Sequence, residues 1–149
     1  MKAAETRTVP GTTVADCRLI DLPKIADSRG NLTFLEGGRQ VPFWIKRAYW
    51  LYDIPGGEQR SGHAYHRLQE FAVALSGSVD FHLHDGHVER VVTLNRSYFG
   101  LYIPAMIWRH IENVSTNAVC LLLASDFYSE DDYLRDREAF LRSKGPVVE

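Results

Sequence analysis

Gly57-Glu58-Gln59-Arg60-Ser61-Gly62-His63-Ala64-Tyr65-His66-Arg67-Leu68-Gln69-Glu70-Phe71-Ala72-Val73-Ala74-Leu75-Ser76-Gly77 is the stretch on which the fold turns. Its spacing is Gly, five residues, His, one residue, Tyr, four residues, Glu, six residues, Gly. Residues two apart on a strand point to the same side, so positions 63 and 65 share a face and Glu70 arrives from the next strand. Gly77 is expected to permit a tight hairpin after that strand. Outward from this core, short segments rich in β-branched and aromatic residues alternate with turn signals. They predict strands at 16–20, 31–36, 43–52, 70–75, 79–84, 88–94, 100–103, 108–112 and 118–125. Asp85-Gly86 marks a hairpin between two of them, and Pro55-Gly56-Gly57 marks another reversal. One helix is expected at the end, capped by Ser129, with Glu130, Asp131 and Asp132 at its start. Tyr133, Arg137, Phe140 and Leu141 follow at helical spacing, and Gly145-Pro146 stops it. Residues 1–12 read as a lead-in and 13–149 as one all-β domain.

The composition excludes several classes. The chain has 149 residues, 17 Lys+Arg against 19 Asp+Glu, and a formal charge of −2. No basic block is present to contact phosphate backbones, so nucleic acid is not an expected partner. No apolar run approaches the roughly 18 residues of a membrane span, and the first residues lack the apolar stretch of a signal peptide. Cys17 and Cys120 are too few for a disulfide framework and show no zinc spacing, which fits a cytoplasmic protein. Six His raise the question of a metal.

The Gly57–Gly77 spacing resembles the first motif of the cupins, small jelly-roll barrels in which His-x-His and Glu normally hold a metal. The resemblance implies a second motif with a further His after a Pro. Here that stretch is Pro104-Ala105-Met106-Ile107-Trp108-Arg109-His110-Ile111-Glu112-Asn113. Tyr65 replaces one His and Arg109 another. Phenol is a poor ligand near neutrality, and a guanidinium repels cations. The reading is an all-β cupin barrel with a short C-terminal helix and no metal. His110 is expected to face away from the interior. His82, His84 and His87 flank the Asp85-Gly86 turn, with 82 and 84 on one face and no acidic partner at ligand spacing. The lining would instead combine His63 and Tyr65 with Arg47, Tyr49, Arg60, Tyr102 and Arg109. Arginine forks recognise phosphate, aromatic faces stack on bases or sugars, and His carries protons near neutrality.

Asp27-Ser28-Arg29-Gly30-Asn31-Leu32, Ile45-Lys46-Arg47-Ala48-Tyr49, Gly100-Leu101-Tyr102-Ile103-Pro104 and Leu123-Ala124-Ser125-Asp126-Phe127-Tyr128 extend the likeness. With them the chain resembles the dTDP-4-keto-6-deoxyglucose 3,4-ketoisomerases, metal-independent cupins of deoxysugar biosynthesis. The resemblance implies conversion of a dTDP-linked 4-keto-6-deoxyhexose to its 3-keto isomer through an enediol(ate), without a cofactor, ahead of amino-sugar formation. His63 would be the principal base. Where relatives often carry His-Ala-His, either Tyr65 or, through a local bulge, His66 would serve as the second proton carrier. Arg47 and Arg60 would contact the diphosphate, Tyr102, Trp108 and Arg109 the thymine or sugar, and Tyr49 would bind substrate from the same cavity. The resemblance also implies a homodimer that exchanges N-terminal strands, with residues near Arg29 completing the neighbouring site. A dTDP-keto-sugar epimerase and a non-catalytic cupin ligand-binding module are the competing readings.

Overall fold

The computed structural model describes residues 11–57 and 62–146. Arg18–Asp21 (β1), Arg47–Leu51 (β4), Glu70–Ser76 (β6), Phe99–Ile103 (β9) and Val119–Ala124 (β11) form a five-stranded antiparallel sheet in the order β1-β9-β6-β11-β4. Val79–His84 (β7), Glu89–Leu94 (β8) and Trp108–Glu112 (β10) form a second sheet in the order β10-β7-β8. Two small pairs complete the β structure. Lys24–Asp27 (β2) pairs with Gly30–Thr33 (β3), and Ala64–Tyr65 (β5) with Tyr133–Leu134 (β12). Among the described residues one α-helix, Arg137–Lys144 (α1), follows. This is the expected all-β barrel with a short C-terminal helix.

Strand alternation decides where the core sits. Ala72, Ala74, Leu101, Ile103, Cys120 and Leu122 point inward from the larger sheet against Phe81, Leu83, Val92, Leu94 and Ile111 of the smaller one. The opposite face of the larger sheet carries Phe71, Val73 and Leu123, which bury Leu22, Val41 and Phe43. Both thiols lie in the first core. Burial raises their pKa values, to about 11 for Cys17 and about 12 for Cys120, so both stay protonated structural groups.

Several local expectations are corrected. Gly77 does adopt a positive φ of 69°, but it passes the chain from one sheet to the other rather than closing a hairpin within a sheet. A Cβ there would fall 2.4 Å from Ser115 Oγ and 2.9 Å from Ala118 Cα, so the corner needs glycine. The strand expected over 43–52 is confined to β4. Pro42 cannot donate to a ladder, and the chain before β4 folds as a loop tied by bonds from Gly38 N to the carbonyls of Val41 and Phe43. The helix begins later than its acidic run. Glu130–Asp132 is a 3₁₀ turn, and Ser129 makes no side-chain cap. Asp136 caps α1 instead, accepting from the N–H groups of Glu138 and Ala139. Asp132 serves another end, receiving the N–H groups of Arg67 and Leu68 at 3.0 Å each.

The Asp85-Gly86 hairpin forms as expected, with β7 and β8 paired from Val79↔Leu94 to His84↔Glu89. Asp85 is buried and accepts from the backbone N–H groups of His87, Val88 and the distant Val14. The expected lead-in falls mostly on residues outside the described ones.

Candidate active site

The decisive local event is the way the chain around His63 is held. His63 and Arg109 exchange two backbone hydrogen bonds, His63 N to Arg109 O at 3.1 Å and Arg109 N to His63 O at 2.9 Å. Two residues on, β5 pairs with β12 in the register Tyr65↔Tyr133. The segment is therefore fixed on both sides, and alternation sends the side chains of His63 and Tyr65 into the barrel. Gly62 precedes them against the Trp108 indole, where a Cβ would lie 2.3 Å from Nε1.

These side chains open on a cavity of about 500 Å³. Leu51, Phe81, Ile111 and Leu122 supply its apolar wall, and Tyr49, Glu70, Arg109, Tyr133 and Arg135 its polar one; His110 borders it, its ring stacked on His82 and bonded to Glu112. His63, Tyr65 and Tyr133 form a triangle of rings, with centroids 4.8 Å, 5.1 Å and 4.7 Å apart. The Tyr65 hydroxyl donates to that of Tyr133 at 3.2 Å.

Beneath the triangle lies a buried charge network. Glu70 is completely buried, and Arg109 is 3% exposed. Arg109 Nη1 donates to Glu70 Oε1 at 2.6 Å, and its Nε and Nη2 both reach the Ile107 carbonyl. The Tyr49 hydroxyl donates to the other Glu70 oxygen. A carboxylate in the barrel is thus matched by one guanidinium and one phenol, the condition under which a buried ion pair is tolerated. Burial, followed by the negative charge of Glu70, raises the Tyr49 pKa and keeps that phenol a donor. The same two causes raise Tyr65, so it stays a neutral phenol.

Arg47 flanks this cavity. Its guanidinium stacks 4.7 Å from the Tyr49 ring centroid and 5.3 Å from that of Tyr128. Burial works against its charge, but the hydrogen bond to Tyr133 together with the neighbouring phenols of Tyr133, Tyr49 and Tyr65 outweighs it, and the Arg47 pKa is raised. Its Nη1 is buried and makes no hydrogen bond. Arg135 lies 4.1 Å over the Tyr133 ring and pairs with Glu130 at 2.8 Å.

The structure thus brings His63, Tyr65, Tyr49 and Arg109 to one cavity with Arg47 beside it. Two expected residues lie elsewhere. Tyr102 faces the outer side of the larger sheet, where its hydroxyl donates to Gln69 Oε1 at 2.6 Å and its ring packs with Phe43. Its strand neighbours Leu101 and Ile103 take the inward positions. Trp108 packs with Ala64, Met106 and Phe140 beneath α1, because the residue beside an inward Arg109 must point outward. Arg60 lies outside the described residues. His66 is exposed, its backbone N–H held by the Asp132 carbonyl, so no bulge turns it inward. Tyr133 and Arg135 were not expected in the cavity. The helical spacing of Tyr133 with Arg137 and Phe140 hid a strand pairing 68 residues distant, and no local pattern could have revealed it.

Comparison with known proteins places this geometry. Residues 15–145 match the family described as FdtA: WxcM-like, C-terminal. The chain belongs to that family. Over 123 residues, 83% of this chain and 88% of the relative, it is 38% identical to the TDP-4-oxo-6-deoxy-alpha-D-glucose-3,4-oxoisomerase of Aneurinibacillus thermoaerophilus. Among solved structures it is similar to the WlaRB TDP-quinovose 3,4-ketoisomerase of Campylobacter jejuni. There the TM-score is 0.82 and the identity 41%, covering 85% of this chain and 98% of that one. It is also similar to a mutant of the 3,4-ketoisomerase QdtA from Thermoanaerobacterium thermosaccharolyticum in complex with TDP-4-keto-6-deoxyglucose. That match has a TM-score of 0.84 and 33% identity, covering 86% of this chain and 93% of that one. The family and its relatives mark the chain as an isomerase.

The charge network makes a direct prediction. Removing one partner strands the other charge in the barrel, so Glu70→Gln should lower the unfolding free energy by about 3 kcal/mol. Adding Arg109→Met to it should return more than half of that loss. Urea titration of both variants checks this, and a Glu70→Gln variant within about 0.5 kcal/mol of the parent would contradict it.

Proposed function

We propose that this chain is a sugar-nucleotide 3,4-ketoisomerase that moves the ketone of a dTDP-linked 4-keto-6-deoxyhexose from C4 to C3, within deoxy-amino-sugar biosynthesis. The relatives support the substrate class. The observation that carries the reading is the placement of one imidazole, His63, between two phenols in a cavity floored by a committed ion pair.

The chemistry follows from what each group can do. A ketone at C4 acidifies the C3 proton. His63 takes that proton, the C3–H electron pair becomes the C3=C4 bond, and the C4 oxygen receives the carbonyl pair. Collapse from the C3 hydroxyl then releases its proton and forms the C3 ketone, while C4 takes a proton. C4 is reduced as C3 is oxidised, so the conversion balances within the substrate. Tyr65 and Tyr133, both phenols in hydrogen-bond contact, serve as donors to the developing enolate oxygen and as carriers for the returning proton. Tyr65 is unsuited to be the base, since its raised pKa leaves no phenolate near neutrality. A positioned acid–base group contributes about 10²–10⁴-fold, and aimed donors contribute more.

The roles of the other residues follow from position. Tyr49 and Arg109 are spent on Glu70 and hold the floor in place. Arg47, with a buried nitrogen left for an acceptor, suits the diphosphate. A His63→Asn variant should lose about 10³-fold or more in kcat for keto transfer, followed by NMR, while retaining its affinity for TDP. Arg47→Met should show the reverse pattern, with weaker TDP binding and a smaller loss in kcat. Turnover by His63→Asn at the parental rate would overturn the assignment.

We infer further that the chain acts as a homodimer joined through its N-terminal strands. The β2–β3 hairpin stands apart from the main sheet, with Ile25 and Leu32 each 56% exposed, an apolar face that a second copy would cover. Arg29, at its tip, is held by Asp27 at 2.7 Å. Light scattering should give the dimer mass, reduced to the monomer in the Ile25→Asp/Leu32→Asp double variant. A monomeric parent protein would contradict it.

A further inference from the structure

We propose that the outer face of the smaller sheet carries a divalent-cation site of the zinc type, built from His82, His110 and Glu112. The register of β7 on β10 sets His82 directly opposite His110. Their imidazoles stack with centroids 4.7 Å apart and planes 15° apart. Glu112 lies two residues beyond His110 on the same strand, and so on the same face. Its Oε1 is 2.9 Å from His110 Nε2, and its Oε2 is 3.5 Å from His82 Nε2. Two imidazole nitrogens therefore converge on one carboxylate, and one ligand atom from each of the three residues lies within 4.8 Å of the others. Spacing along the chain offers His82 no acidic partner; the β7–β10 register supplies one.

The donor set selects the ion. Two imidazoles and a carboxylate match the ligand set of open tetrahedral zinc sites, with bonds of about 2.0–2.2 Å and ligand atoms therefore roughly 3.4 Å apart. Both rings must turn out of their present near-parallel stack for the two lone pairs to meet at one ion, and the partly exposed side chains leave room for that turn. Magnesium and calcium prefer oxygen ligands alone and are disfavoured. Binding requires each Nε2 lone pair, so the imidazole proton sits on Nδ1 and no bond is made or broken in the protein beyond that tautomer shift. The side chains are 32%, 19% and 40% exposed, so an ion can enter and water can complete its shell. Asp80 lies opposite Glu112, held by Thr93 at 2.6 Å and Asn113 at 3.1 Å, and adds negative potential beside the site. A bound ion would staple β7 to β10, whose opposite face presents Arg109 to the cavity.

The test uses the full, tag-free protein freed of metal with a chelator. Calorimetric titration with Zn²⁺ should give one site per chain, and Co²⁺ at that site should show the visible absorption of a low-coordinate nitrogen–oxygen complex. His110→Ala and the conservative Glu112→Gln should each weaken Zn²⁺ binding by more than about tenfold, whereas His63→Ala should leave it unchanged. Zn²⁺ should also raise the melting temperature of the parent but not of Glu112→Gln. Three results would each overturn the proposal: no stoichiometric uptake, equal affinity in the Glu112→Gln variant, or loss of binding in His63→Ala, which would put the ion in the cavity.

Discussion

Glu70 and Arg109 meet at 2.6 Å inside the barrel, and the rest of the site is arranged around the need to satisfy that pair. Charges so buried cost several kcal/mol each to desolvate, and attraction alone offsets this only when the remaining donors and acceptors are also used. They are used here. Tyr49 takes the second carboxylate oxygen, and the Ile107 carbonyl takes two guanidinium N–H groups. Arg109 is consequently held in place, and its two backbone bonds to His63 fix the main chain that carries the imidazole. His63 is thereby held next to a structural network whose donors and acceptors are already committed to one another.

The same network explains the tolerance of Tyr at position 65. Burial and the negative charge of Glu70 both keep the phenol neutral, so Tyr65 presents a protonated hydroxyl. Tyr133 supplies the hydroxyl that completes a short relay at the cavity wall. In the proposed reaction, one imidazole and two phenols would provide a base and two donors, the set that an enediol(ate) pathway requires. The two thiols, by contrast, are raised in pKa by burial and lie in the core, outside the cavity lining.

Much of this was legible in the chain because alternation is a strict rule on strands. The pairing of positions 63 and 65, the inward Arg109, and the Asp85-Gly86 hairpin follow from local spacing. Trp108 fails by that same rule, since it neighbours Arg109 and must face the other way. Tyr102 fails because the larger sheet has two buried faces, and aromatic character alone does not say which one a residue joins. Tyr133, Arg135 and the His82–His110 pair depend on registers between strands far apart in sequence. Those registers are set by packing of the whole barrel, and nothing local announces them. The all-exposed β2 strand was missed for a related reason: with no buried face it has no alternation to read.

The central claim is that this cavity transfers protons between C3 and C4 of one sugar. The most direct measurement is incubation of the protein with dTDP-4-keto-6-deoxyglucose in deuterated water, with NMR of the product. The account predicts a 3-ketone carrying solvent deuterium at C4 and none at C5. Deuterium at C5 with the ketone still at C4 would identify an epimerase, and recovery of unlabelled substrate would identify a binding module; either result would contradict it.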